Sequence, residues 1–145
     1  MPNAKLGRAW VVLCMALVLH VVDEALTGFL AVYNPTVIAL RQRIPWAPLP
    51  VFRFEAWLAG LVAASAVLLA LSPFVFRGAA WMRPLAYAFA AVMIVNAAGH
   101  VAGTIAGRTF ESVPILRPMP GFWSSPALLA ASVYLLFRLR RSAAD

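Results

Sequence analysis

The sequence predicts an all-α protein, a bundle of four transmembrane helices forming one integral membrane domain over residues 1–145. Three observations predict it. Apolar residues make up 63% of the chain and charged residues 12%, against ~45–50% and ~25% in soluble domains. The apolar residues fall into four long runs. Most basic residues flank those runs, and Trp10, Trp46, Trp57, Trp81 and Trp123 all fall near their ends, the arrangement of membrane anchors and an aromatic belt. The net charge of +7 would suit nucleic acid, but there is no basic helix and no interleaved aromatic platform. The expected partner is the lipid bilayer, not nucleic acid. The single cysteine, Cys14, allows no intrachain disulfide and reads as a small apolar packing residue.

The first span, residues 9–32, follows Lys5 and Arg8 and is too long for a typical signal-peptide core, so it is expected to be retained. It should end at Asn34-Pro35. The loop that follows, to residue 54, carries Arg41, Arg43 and Arg53 and a short amphipathic helix over 35–43. The second span, 54–76, is rich in Ala, Gly and Ser, which let helices approach closely in lipid, within the chain or in a homo-oligomer. The third span, 84–106, is almost purely apolar until Asn96 and His100. The last loop carries Arg108, Glu111 and Arg117, with Glu111 expected in an ion pair. The fourth span, 122–137, has Pro126 in its first turn and ends in Arg138, Arg140 and Arg141. An even number of spans puts seven basic residues on the side of the termini and five opposite. Both termini are therefore expected in the cytoplasm.

Against this background, His20, Asp23 and Glu24 stand out. Spacings of three and four residues place them on one helix face, in the middle of the first apolar run, where ionisable groups are costly to keep. Asn96 and His100 share a face of the third span by the same spacing. Glu55 opens the second span from the side where the first and third spans exit. These groups can meet at similar depth, giving a candidate catalytic set of His20, Asp23, Glu24, His100, Asn96 and Glu55. Imidazoles and carboxylates from different helices suit zinc, iron or manganese, with His20, Asp23, Glu24 and His100 as ligands. The alternative is metal-free acid–base chemistry, since burial moves carboxylate and imidazole pKa values toward neutrality. The structural alternative is polar glue between helices, at only ~0.6–2 kcal/mol per bond.

His20-x-x-Asp23-Glu24 resembles the signature of the HXXEE-domain family of small polytopic membrane proteins. The resemblance extends to Asn96-x-x-Gly99-His100 and to Arg117-Pro118-Met119-Pro120-Gly121, in the expected order over most of the chain. It departs at Asp23, where the family pattern has Glu. The resemblance implies a membrane architecture and a shared His/acid site, and no substrate. A looser likeness of design, without a shared motif, is to the emopamil-binding-type sterol isomerases.

The leading functional reading is a membrane enzyme acting on a lipophilic small molecule, of isomerase, cyclase or hydrolase type. The rivals are a proton- or ion-coupled transporter subunit and a structural membrane partner. A transporter needs a polar path to both faces, and the stretches 9–19 and 85–95 offer almost none.

Overall fold

The computed structural model describes residues 4–141. Its regular structure is all helical, with no strand among the described residues beyond one isolated bridge between Arg108 and Pro114. The helices are α1 (Ala4–Thr27), α2 (Leu30–Arg43), α3 (Phe54–Ala70), α4 (Ser72–Arg77), α5 (Met82–Ala106) and α6 (Ser125–Arg141). Three stretches are long and apolar enough to cross a membrane: Ala4–Thr27, Phe54–Arg77 and Met82–Ala106. The second is α3 and α4 in succession, interrupted at Leu71 just before Ser72-Pro73. A proline cannot donate the helical hydrogen bond its position calls for, so the rod breaks and restarts.

α1 is the central helix. It packs against α3, α4, α5 and α6, while α6 lies along both α1 and α5. Trp10, Leu13 and Cys14 of α1 are fully buried, and so are Leu128, Leu135 and Leu139 of α6. Phe89 packs edge-on against Trp10, with ring centroids 5.3 Å apart. This half of the bundle, toward the termini, is filled with apolar side chains.

Four expectations from the sequence are corrected. The first span does not run to Asn34-Pro35. α1 ends at Thr27 because Gly28 takes a left-handed conformation (φ 80°), and the Phe29 N–H donates back to the Glu24 carbonyl at 3.0 Å. Glycine adopts this backbone at no steric cost and commonly closes a helix this way. The short helix of the first loop is therefore longer than 35–43. α2 starts at Leu30 and carries Pro35 inside it, while Asn34 clamps the loop through two hydrogen bonds to the Phe52 backbone, at 2.9 and 3.0 Å. The last helix runs over Ser125–Arg141 and not 122–137; its start is delayed because residues 120–124 form turns, with Met119, Gly121 and Ser124 hydrogen-bonded to α5 and α1. Finally, Trp10 is no belt residue. Its indole N–H donates to the Leu68 carbonyl at 3.0 Å, one of the last four carbonyls of α3, which lack a partner within their own helix. Trp57 is also buried, whereas Trp46, Trp81 and Trp123 are exposed.

Candidate functional site

The polar residues of α1 and α5 meet at the end of the bundle opposite the termini. His20 and Glu24 lie one turn apart on α1, and His100 faces them from α5. The His20 and His100 Nε2 atoms are 3.2 Å apart. The Glu24 Oε1 atom is 3.5 Å from His20 Nε2 and 3.1 Å from His100 Nε2. His20 is fully buried, and Glu24 and His100 are 5% and 2% exposed. Among the described residues, this is the group of three ionisable side chains placed to hold one metal ion. Ligand atoms ~2.0–2.1 Å from a tetrahedral ion stand about 3.3–3.4 Å from one another. The triangle of 3.1, 3.2 and 3.5 Å has the dimensions of one face of such a tetrahedron.

Asp23 is not part of the triangle. Its place three residues after His20 turns it toward α6, where Oδ2 accepts from the Ser124 N–H and the Ser124 hydroxyl, each at 2.8 Å. A carboxylate at a helix N-terminus is favourable, so Asp23 ties the start of α6 to α1. Ser124 Oγ also lies 2.8 Å from His20 Nδ1. The hydroxyl has one proton, and two acceptors compete for it, Asp23 Oδ2 and the Gly121 carbonyl at 3.2 Å. With the proton on either, His20 Nδ1 is the donor to Ser124, and the Nε2 lone pair is left facing the triangle. A hydrogen bond from the remote ring nitrogen is the usual way a protein orients a metal-binding imidazole. Ser124→Ala removes a partner from both His20 and Asp23. It is expected to lower thermal unfolding stability in detergent by about 2 kcal/mol or more, and to weaken any metal held by the triangle ~10–100-fold.

The loop before α6 is pinned by two threonines, each one turn beyond a site residue. Thr27 donates to the Asp23 carbonyl at 2.6 Å and accepts from the Gly121 N–H at 3.2 Å. Thr104 donates to the His100 carbonyl at 2.8 Å and accepts from the Met119 N–H at 2.9 Å. Arg117 adds a hydrogen bond to the Ile105 carbonyl at 2.9 Å. Gly121 (φ 84°) comes so close that a Cβ there would lie 2.8 Å from His100 Cε1 and 3.0 Å from Glu24 Cγ. The buried Nδ1 of His100, on this same edge of the ring, has no hydrogen-bond partner.

Glu55 lies outside the site. It is exposed beside Arg53, at 3.9 Å, with 77% of its side chain accessible. As the first-turn acid of α3 it is solvated at the helix start, where its charge costs least. Glu111 pairs with Arg43 at 3.1 Å. Asn96 is half-buried and makes no hydrogen bond to the triangle; it lines a cleft beside it. That cleft, about 610 Å³ in volume, lies between the start of α2, the last turns of α5 and the loop after α5. Phe29 and Tyr33 form one wall and Val95, Gly99 and Ala102 the other. Ile115 and Met119 come from the loop, and His100 reaches the wall from the triangle. The Phe29 ring stands between His100 and Trp57, with centroids 5.8 and 5.9 Å away.

Sequence reasoning does not reach Ser124, Thr27, Thr104 or Gly121 as members of the site. The threonines do carry a signal: each follows a site residue by four positions, which on a helix is the same face. Ser124 carries none, since its partners are 101 and 104 residues away. No family model, curated protein or solved structure matches the chain.

Proposed function

We propose that the chain is a multi-pass membrane enzyme that binds one divalent metal at His20, Glu24 and His100 and acts on a lipophilic small molecule in the adjoining cleft. The observation that carries this reading is the buried triangle of two imidazole nitrogens and one carboxylate oxygen, with spacings of 3.1–3.5 Å suited to a common ion. Two histidines and a glutamate form a known catalytic zinc set, and the same ligand types serve iron and manganese. A bound metal would supply Lewis-acid polarisation and an activated water. The chain's own groups do the rest: Asp23 and Ser124 orient His20, and the apolar walls exclude bulk water. Without a metal, Glu24 between two imidazoles remains an acid–base group.

α6 is proposed as a fourth span. Its 17 residues reach ~25 Å, near the lower limit for crossing, and its arginines would anchor it on the side of the termini, taken as cytoplasmic. Kinship with the HXXEE-domain family is part of the proposal. It is supported by the way His20 and Glu24, His100 and Gly121, which represent the three motifs, meet at one point. The dry packing of the terminal half favours a one-sided pocket over a transport path.

The test compares lipid extracts of cells producing the wild type with those producing Glu24→Gln. A compound class that changes with the wild type alone, and reverts when the cells are treated with a membrane-permeant chelator, is the expected result. Extracts that match in every lipophilic fraction at equal protein levels would remove the enzymatic reading.

A further inference from the structure

The cleft beside the triangle has a definite polarity. Its wall on α5 is made by the outward face of that helix, where Val95, Gly99 and Ala102 are exposed. It therefore opens sideways, toward the hydrocarbon of the bilayer. Its other end reaches Arg108, just past the end of α5 and so at the membrane–water boundary. Of the other cations at this end, Arg43 is paired with Glu111, Arg117 donates to the Ile105 carbonyl, and Arg41 does not line the cleft. Arg108 is exposed, lines the cleft, and meets no acid among the described residues. The loop end of the molecule carries Arg41, Arg43, Arg53, Arg108 and Arg117 against only Glu55 and Glu111 outside the buried site, which leaves the rim positive.

Building on the enzymatic reading, we infer that the cleft takes a single-chain anionic amphiphile from the bilayer, with its carboxylate or phosphate head on Arg108 and its chain lying along α5 past His100 to Gly99 and Val95. An apolar trough with one cation at its wet end matches such a molecule in both charge and shape. Its volume, about 610 Å³, falls within the ~300–1,000 Å³ of small-molecule sites. The geometry also sets where chemistry would fall. His100 lies six residues below Ala106, ~9 Å by helical rise. The group presented to the triangle is therefore an internal position of the chain, not the head.

The test is ligand binding, which needs no knowledge of the reaction. Wild-type protein in phosphatidylcholine nanodiscs is titrated with dodecanoate, dodecyl phosphate, dodecanol and dodecyltrimethylammonium, followed by native mass spectrometry. The two anions are expected to bind once per chain, about tenfold or more tighter than the alcohol, and the cation not at all. Arg108→Gln, at an exposed site, should bring the anions down to the level of the alcohol. Gly99→Phe should abolish binding of all of them, because the space beside Gly99 is open and the ring would fill the cleft. Equal affinity for anion and alcohol, a preference that survives Arg108→Gln, or binding that survives Gly99→Phe would each overturn the proposal. So would preferential binding of diacyl phosphatidylglycerol over the single-chain anions, which would make Arg108 an ordinary anchor to bilayer lipid. The Glu24→Gln variant separates the two readings: anion binding that persists there supports the cleft assignment whatever the metal content of the protein.

Discussion

Wild-type protein purified without chelators is expected to carry about one divalent metal per chain, and Glu24→Gln to carry almost none while keeping its helical content. Gln keeps the length and the hydrogen-bonding capacity of Glu, so the packing around position 24 survives. What it loses is the one negative charge among the three proposed ligands, and an amide oxygen is a far weaker donor to zinc, iron or manganese than a carboxylate. Changes to groups that only orient a ligand cost ~10–100-fold in affinity, so loss of a ligand itself must exceed that. The effect also shows in stability. A ligand at 100 times its dissociation constant stabilises the folded state by ~2.7 kcal/mol, so the wild type should melt higher with metal than after chelation, and Glu24→Gln should show no such difference. Ser124→Ala should fall between, still binding metal but more weakly. Elemental analysis beside thermal melts reads all three proteins. Stoichiometric metal in Glu24→Gln would move the ion elsewhere. Its absence from every protein would leave acid–base chemistry at Glu24 as the surviving form of the enzymatic reading.

Gly121→Ala is expected to be the most damaging single-methyl change in the chain's last loop. Two costs add there. The backbone at φ 84° disfavours any L side chain by ~1–2 kcal/mol. The new methyl would also lie 2.8 Å from His100 Cε1 and 3.0 Å from Glu24 Cγ, so either the loop or the triangle must shift. A loss of about 3 kcal/mol or more in unfolding stability follows from adding the two, together with loss of the triangle's spacing and hence of any metal. Gly99→Ala is the control. It lies in mid-helix on α5 with open space around its Cβ position, where alanine should be neutral or stabilise by ~0.5–1 kcal/mol. Thermal melts of the two variants, with metal content measured alongside, check both. A Gly121→Ala protein as stable as Gly99→Ala would mean that the loop does not pack on the site as described.

Part of this protein is legible in the amino-acid sequence alone. The apolar excess and the long runs determine that the chain is helical and suited to a membrane, because a segment without water around it must satisfy its backbone internally. The spacing of His20 and Glu24 puts them on one face, because helix geometry is local and depends on few other residues. Their depth relative to His100 follows from counting residues from the ends of the runs.

Tertiary structure decided the rest. Asp23 carries the same charge as Glu24 and lies next to it, yet it binds the start of α6, because the helix rotation set by Leu13, Cys14 and Leu17 turns it that way. Glu55 has the right depth but faces solvent, since α3 touches the bundle along little of its surface. Ser124 and Gly121 complete the site from a loop about one hundred residues away from α1 in sequence. Sequence determines which face of each helix is polar, since that depends on spacing along one backbone. How the faces turn toward one another, and which loop closes over them, depends on side-chain packing between segments distant in the chain.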